Sequence, residues 1–268
     1  LDCKRFNVFV GDTSAGKSNI IEALTLVSQA VLGDHVDPFD KRVIRYGQLN
    51  DLFPGRDVSK VLGVRTGILD VEAKFDPSSG FTFNYKDGWG SESRERFSNG
   101  SRGSSNLAEQ RSLDTSIRRY EFDPRVKFAA HWFTHLAPPD GSNLVALLMT
   151  NEPLANEVEK ILASKDLAFE LDPETYSISL RHERSKRVVV KLPFGNLSET
   201  IKRYLFLYTA LRTNSNAILL LDKPEQHTFP FYTKHIAELM AREPSNQYFI
   251  STHNQYFLQA LLEKAPKG

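Results

Sequence analysis

The feature that most constrains the fold is the segment Gly11 to Ser18, which has the pattern Gly-x-x-x-x-Gly-Lys-Ser. A run of β-forming residues at 5–10 precedes it, and residues 18–32 follow with apolar side chains at helical spacing. In a strand–turn–helix context, consecutive backbone N–H groups of such a turn cradle phosphate oxygens, and the helix dipole adds positive potential. The pattern therefore predicts a phosphate loop in an α/β fold, the alternative being a chance match in a glycine-containing turn.

Two side chains of this loop have predicted roles of their own. Lys17 reaches the β- and γ-phosphates of a nucleotide, and the Ser18 hydroxyl ligates Mg²⁺. The predicted cofactors are therefore ATP and Mg²⁺. The predicted nucleotide-binding residues are Gly11, Asp12, Thr13, Ser14, Ala15, Gly16, Lys17, Ser18 and Asn19.

Two further segments read as buried strands that end in polar residues. The apolar run 217–221 is followed by Asp222, and the run that begins at Gln247 ends at Ser251, shortly before His253. A carboxylate at the carboxyl end of a strand, beside a phosphate loop, can hold Mg²⁺ directly or through water. We therefore predict Asp222 as a metal ligand and catalytic residue and His253 as a second catalytic residue. Taken alone, each pattern is common and has no functional meaning.

Ser198 precedes a predicted helix that runs from Glu199 to Arg212. Serine at this position caps the backbone N–H groups of a helix, which explains the residue without any function. The functional alternative is that this helix N-terminus points at the γ-phosphate of a nucleotide bound by a second subunit.

These motifs, in this order, resemble the ABC-type ATPases, in particular the SMC, RecF and OLD-like branch of predicted AAA-type P-loop ATPases. The resemblance implies an α/β P-loop NTPase fold: an ABC-type nucleotide-binding domain with a mixed central sheet and an antiparallel β subdomain. The words that carry it are Asn7 to Gly11, Gly16 to Leu24, Asp140 to Leu144, Leu221-Asp222, Pro224-Glu225 and Ser251 to Asn254.

The resemblance also implies partners. Members of this branch form head-to-tail homodimers that enclose two ATP molecules, so Ser198 would serve the nucleotide of the other subunit in trans. Gln48 falls where the family has its Q-loop glutamine. The branch often acts on DNA in repair or in defence against phage, which makes DNA and a separate effector or nuclease expected partners.

One residue departs from the family pattern at a decisive place. The family has glutamate after the strand's aspartate, where it orients or deprotonates the attacking water, whereas this chain has Lys223. A protonated lysine offers no acceptor, and loss of a general base costs about 10²–10⁴-fold in rate. The sequence leaves three readings open: hydrolysis is very slow, Glu225 or His253 substitutes as the water-positioning group, or Lys223 is an engineered change.

The segment after Ser198 also departs from the family, because Glu199 and Thr200 replace two glycines.

Two functions follow as hypotheses: a nucleotide-dependent dimerising switch in DNA repair or anti-phage defence, and a hydrolysis-deficient ATP-binding scaffold that senses nucleotide and holds a partner protein. A phosphoryl-transferring kinase is disfavoured, since it predicts neither Leu197-Ser198 nor the strand that ends before His253.

Composition and patterning set the remaining expectations. The formal net charge of +1 provides no strong basic field for nucleic acid, and a single cysteine allows no disulfide within the chain. No apolar run is long enough to cross a bilayer, so we expect a soluble, cytoplasmic protein. We predict one domain over residues 1–268, with a β-hairpin subdomain at 62–87 and a flexible polar insertion at 88–112.

Two other candidate sites are not favoured. His131 and His135 have the spacing of metal ligands on a helix, but no glutamate follows His131 and two prolines close the segment. The arginines of the polar insertion are interspersed with glutamates, which is typical of a solvated loop and not of a nucleic-acid surface.

Overall fold

The structure is a computed structural model that describes residues 3–12, 15–31, 41, 44–65, 69–78, 80–87, 92–98, 101–102, 117–130, 133–163, 167–185 and 188–265. The chain divides into two compact units. Unit 1 contains Leu1–Ala15 and Tyr120–Gly268, and unit 2 contains Gly16–Arg119. The prediction of a single domain over residues 1–268 stays a prediction.

The elements are named in chain order. The helices are α1 Lys17–Val31, α2 Leu144–Thr150, α3 Glu152–Ala163, α4 Glu199–Thr213, α5 Pro230–Arg242 and α6 Gln255–Lys264. The strands are β1 Phe6–Val10, β2 Leu62–Arg65, β3 Leu69–Asp76, β4 Gly80–Asp87, β5 Glu92–Ser98, β6 Ser101–Arg102, β7 Ile117–Tyr120, β8 Leu167–Asp172, β9 Ser177–Ser185, β10 Val188–Pro193, β11 Ile218–Asp222 and β12 Gln247–Thr252.

The central sheet of unit 1 has the strand order β1-β12-β11-β7. β1 and β11 both run parallel to β12, with Phe6 opposite Tyr248 and Ile218 opposite Gln247 at their starts. β11 is the five-residue run Ile-Leu-Leu-Leu-Asp, and its three leucines are at most 1% exposed. Such continuous apolar strands are typical of a parallel sheet that is covered on both faces. The same hydrophobic core includes side chains of α4, α5 and α6.

A second sheet of unit 1 is antiparallel and has the order β10-β9-β8. Ile178 and Leu180 on β9 are buried in the same core as the central sheet, while Ser177 and Ser179 alternate with them on the other face. This alternation is what a sheet with one covered face requires. The sequence of residues 168–192 predicts two or three short strands, and the structure has these three.

The sequence of residues 143–163 predicts one helix, whereas the structure has two, α2 and α3. The Asn151 N–H bonds the Leu147 carbonyl at the end of α2, and the Asn151 side chain accepts the Leu154 N–H at 3.1 Å at the start of α3. Asn151 thus ends one helix and caps the next, and Pro153 suits the first turn of α3 because it has no N–H to donate. The apolar periodicity on both sides hid this interruption.

Unit 2 contains α1 and a five-stranded antiparallel sheet with the order β2-β3-β4-β5-β6. Within residues 62–87, where the sequence predicts a β-hairpin subdomain, β3 and β4 pair from Leu69 opposite Asp87 to Asp76 opposite Gly80. The unit has a hydrophobic cluster of its own, to which helix α1 contributes two side chains and the sheet four. Its buried members are Leu26, Val27, Ile44, Phe53, Val71, Ala73, Phe81 and Phe83.

The segment 88–112, predicted as a flexible polar insertion, contains two described strands. Residues 92–98 form β5, which pairs with β4 from Phe81 opposite Phe97 to Lys86 opposite Glu92, and residues 101–102 form β6. Pairing at a sheet edge uses backbone groups, so a polar sequence without apolar alternation can still form a strand. Residues 88–91, 99–100 and 103–112 lie outside the described residues.

Within the part of the chain that the structure describes, no helix is long and apolar enough for a membrane span.

Candidate functional site

Three parallel strands of unit 1 end side by side. Val10 at the end of β1 lies opposite Thr252 at the end of β12, and Asp222 at the end of β11 lies opposite Ser251. Residues that follow these strands therefore lie along one edge, which is where open α/β sheets bind their ligands. This edge carries Gly11 and Asp12, Asp222 and Lys223, and His253.

Asp222 is held by its neighbour on β12. The Ser251 hydroxyl donates a hydrogen bond to the Asp222 carboxylate, and the Ser251 carbonyl accepts the Lys223 N–H at 2.9 Å. Ser251 itself is fully buried, whereas Asp222 is partly exposed at the edge. The first bond orients a carboxylate that can hold a cation, and the second holds the backbone that follows it. Sequence patterns alone assign Ser251 no role, although a polar residue at the end of an apolar strand is a usable signal.

The loop after Asp222 is tightly folded. Lys223 and His227 have φ of 51° and 57°, in the left-handed region that costs a non-glycine residue about 1 kcal/mol. Two backbone bonds close the loop, from Gln226 N–H to the Lys223 carbonyl at 3.0 Å and from Thr228 N–H to the Glu225 carbonyl at 3.1 Å. The loop therefore has a defined shape, and Lys223 occupies its first, partly exposed position.

Glu225 points into the protein. It is 9% exposed, and its Oε1 accepts the Thr252 hydroxyl at 2.6 Å, while Thr252 Oγ1 accepts the Asn254 N–H at 3.0 Å. Asn254 in turn caps α6 through the Phe257 N–H at 3.1 Å. Glu225 thus supports the turn that carries the exposed His253, and among the described residues its buried Oε2 has no hydrogen-bond partner. Its suggested role as a substitute base stays a prediction.

The first half of the predicted phosphate loop belongs to unit 1. The Ala15 N–H donates to the Asp12 carbonyl at 3.3 Å, and a Cβ on Gly11 would meet the Ala15 methyl at an ordinary 3.7 Å. This is a narrow turn directly after β1. Thr13 and Ser14, which were also predicted to bind the nucleotide, lie outside the described residues.

The second half of the loop belongs to unit 2. Gly16 has φ +82°, which strains any other residue, and the helical bonds of α1 begin with Ile20 N–H to the Gly16 carbonyl at 3.3 Å. Lys17, the first residue of α1, is only 8% exposed, and Ser18 lies beside it in the first turn. The first turn of a helix directs N–H groups beyond its N-terminus. A glycine-permitted turn, a helix start, a lysine and a serine fit a phosphate group and its magnesium ion.

Ser198 caps α4, since its hydroxyl accepts the Ile201 N–H at 3.4 Å, and Ser198 is exposed. The two side chains that replace glycines of the family pattern form bonds within this chain. Glu199 pairs with Arg203 at 2.9 Å, and this hydrogen bond holds the pKa of the Glu199 carboxyl below its usual range. The Thr200 hydroxyl donates to the His227 carbonyl at 3.0 Å. The capping role is thus visible, and the trans role of Ser198 stays a prediction.

The remaining predicted residues lie in unit 2 or outside the described chain. Gln48 precedes a short 3₁₀ turn, Leu49–Leu52, and its N–H donates to Asp51 Oδ2 at 2.8 Å. Asn19 is exposed and lines a concavity of about 250 Å³ in the same unit. His131 lies outside the described residues, and in those that are described no three or more His, Cys, Asp or Glu side chains form a metal-binding group.

Known proteins resemble both the sequence and the fold. Residues 150–259, the range that includes Ser198, Asp222 and His253, match the family described as "AAA domain, putative AbiEii toxin, Type IV TA system". An SMC head bound to the C-winged helix domain of ScpA matches with a TM-score of 0.50 and 14% identity, over 96% of this chain and 85% of that chain. The chain has the fold of an SMC/RecF-like P-loop ATPase.

This ATPase fold confirms the predicted fold class and the resemblance drawn from the motifs. The SMC head domain from Thermotoga maritima also matches, with a TM-score of 0.41 and 14% identity over 97% of this chain and 85% of that chain. Among curated proteins, none is significantly similar in sequence to this chain.

Proposed function

We propose that the chain binds ATP with Mg²⁺ and that the nucleotide joins two copies into a head-to-tail dimer, which makes the chain a nucleotide-dependent switch. The observation that carries this proposal is the sheet edge of unit 1, where Asp222, His253 and the turn after β1 follow three adjacent parallel strands. The ATPase fold supports it, because this edge is where such folds bind ligands.

Each residue has a proposed task in nucleotide binding. The backbone of residues 11–18 and the Lys17 ammonium bind the phosphates, and Ser18 and Asp222 hold Mg²⁺, with Ser251 keeping the Asp222 carboxylate in place. The bound Mg²⁺ neutralises phosphate charge. His253, held by the turn that Glu225 and Thr252 support, stands ready to contact the terminal phosphate.

Hydrolysis in this proposal is slow. Lys223 occupies the position of the family's water-orienting glutamate, and a protonated lysine donates but does not accept hydrogen bonds. Glu225 does not replace the missing acid in our proposal, because its carboxylate is buried and accepts the Thr252 hydroxyl. The chain then keeps its ATP-bound form for long periods.

Lys223 equally favours a second function, in which the chain does not hydrolyse ATP. It then acts as a scaffold that senses ATP and holds a partner protein. The SMC head with a matching fold carries a bound domain of ScpA. For this chain we propose, in either case, a separate effector or nuclease as the partner and a role on DNA in repair or in defence against phage.

Light scattering tests the shared part of both functions. With ATP and Mg²⁺ we expect the mass of a dimer, and without nucleotide that of a monomer, while titration calorimetry should give one ATP per chain. A mass that ATP does not change would overturn the switch, and absence of ATP binding, by calorimetry and by equilibrium dialysis, would overturn both functions. Steady-state phosphate release, compared between the natural chain and Lys223→Glu, then separates a slow ATPase from a scaffold.

A further inference from the structure

The first turn of α4 and the loop after Asp222 are joined by a hydrogen bond between Thr200 and His227. The Thr200 hydroxyl donates to the His227 carbonyl at 3.0 Å. Thr200 lies two residues after Ser198, and His227 lies in the loop that starts at Lys223. This bond therefore links the residue proposed to contact the other subunit's nucleotide with the loop beside the subunit's own nucleotide.

Thr200 is the first of three polar residues spaced four apart along one face of α4. Tyr204 lies 2.6 Å from Nδ1 of His235 on α5, and the Tyr208 hydroxyl donates to Glu157 on α3 at 2.9 Å. Burial, with the bond to Glu157, raises the pKa of Tyr208 to about 12, so its hydroxyl keeps its proton at neutral pH. The two tyrosines anchor the body of the helix, and Thr200 anchors the end that carries Ser198.

The neighbouring side chain leaves this anchor undisturbed. Glu199 pairs with Arg203 one turn along the same helix, and the Arg203 guanidinium lies 4.7 Å from the centre of the Phe122 ring. The carboxylate is thus kept near a cation of its own subunit. A glycine at position 200, as in the family pattern, would have no hydroxyl to reach His227.

We propose that Thr200 is a positioning residue, whose bond to the His227 carbonyl sets where Ser198 stands toward the nucleotide of a second copy of this chain. This assignment rests on the nucleotide-dependent dimer proposed above. It explains why threonine stands where the family pattern has glycine. The Thr200 hydroxyl fixes the start of α4 to the loop that begins at Lys223. A shift of that loop would then move Ser198 with it.

The test compares Thr200→Val, which keeps the shape and loses the hydroxyl, with Thr200→Ser, which keeps the hydroxyl. Thr150→Val is the matched control, since the Thr150 hydroxyl also donates to a backbone carbonyl, that of Ala146 at 2.8 Å, far from α4 in sequence. ATP binding to the monomer is measured by calorimetry, dimerisation with ATP and Mg²⁺ by sedimentation, and amide exchange of residues 199–202 without nucleotide by mass spectrometry.

We expect Thr200→Val to bind ATP as the natural chain does, but to need about tenfold more protein for dimerisation, since a symmetric dimer loses the bond twice and each loss is worth a few-fold. Its amides at 199–202 should exchange faster, while Thr200→Ser and Thr150→Val should behave as the natural chain in all three measurements.

Unchanged dimerisation of Thr200→Val would overturn the assignment, as would an equal defect in Thr200→Ser or Thr150→Val. Loss of ATP binding in Thr200→Val would also overturn it, because the effect would then not lie in the contact between subunits. If the natural chain binds ATP and stays monomeric, the proposed dimer itself fails and the assignment falls with it, a result recognisable without any variant.

Discussion

The parallel strands β1, β11 and β12 begin at one side of the central sheet, here the starting edge, and end at the opposite side, the ending edge. Polar residues have different roles at these two edges. Where the parallel strands begin, polar side chains bind the protein's own backbone: Arg5 donates to the Met240 and Ala241 carbonyls at the end of α5, each at 2.9 Å. Asn246, just before β12, is 1% exposed and bonds the Ala217 N–H and the Asn214 carbonyl, each at 2.9 Å. At the starting edge, these polar side chains thus bond to the protein's own backbone.

Where the same strands end, the polar groups are turned outward or strained. Asp222 and Lys223 are partly exposed, His253 is exposed, and Lys223 has a left-handed backbone. The supporting groups behind them, including Ser251, Thr252 and Glu225, are buried and bonded within the protein. The difference teaches that substitutions at the starting edge should cost stability, and those at the ending edge should change ligand binding or turnover.

The largest effect on stability is expected at the starting edge, for Asn246→Ala. The change removes the bonds that the Asn246 side chain makes to the Ala217 N–H and the Asn214 carbonyl, and each such loss costs about 1–3 kcal/mol. We expect the free energy of unfolding to fall by about 3 kcal/mol in urea denaturation. ATP affinity of the folded fraction should not change, and a variant that folds normally but binds ATP poorly would break the comparison.

Removal of the Lys17 ammonium should have the largest effect on binding. In Lys17→Met the apolar stem of the side chain is kept, but its charged hydrogen bonds to phosphate are lost, which we expect to weaken ATP binding about 100-fold in calorimetry. Lys202→Met is the control, since Lys202 is as buried, at 7% exposed against 8%, but donates to the Gly195 carbonyl. Equal losses of affinity in both variants would contradict a phosphate-binding role for Lys17.

Much of both edges could be predicted from the sequence, and the rest depended on partners distant in the chain. The apolar strand before Asp222 and the glycine pattern before Lys17 predicted the sheet and the end of its strands, because those signals are local. The bond from Thr200 to His227 could not be predicted, since it joins segments whose proximity only the fold sets. The same holds for Glu225, whose contact with Thr252 is invisible in either segment alone.

The strands of the antiparallel sheets show the same limit. The alternation of Phe81 and Phe83 predicted the hairpin of unit 2, whereas β5, with one aromatic residue among charged ones, carried no such signal. An edge strand is defined by the backbone of its neighbour, and sequence patterns report mainly on burial.

Within the ending edge, Lys223→Glu should raise turnover. The carboxylate supplies the acceptor that orients or deprotonates the attacking water, and the general-base range of about 10²–10⁴-fold makes a tenfold increase a cautious expectation. Phosphate release under saturating ATP is the measurement, with Lys223→Gln as the control that removes the cation without adding a base. If the natural chain hydrolyses ATP as fast as Lys223→Glu, the rate of hydrolysis does not depend on the side chain at position 223.

The smallest effect concerns the backbone strain at the same residue, and it separates strain from charge. Because Lys223 has φ 51°, Lys223→Gly should be more stable than Lys223→Ala by about 1 kcal/mol, even though glycine ordinarily loses more entropy on folding. Urea denaturation of the two variants measures this difference directly, since neither carries the ammonium. Asn246 has no such strain to relieve, so glycine there should be no better than alanine. If alanine at 223 proved the more stable, residue 223 would not keep its left-handed backbone conformation in solution. The ending edge would then carry no backbone strain at this residue.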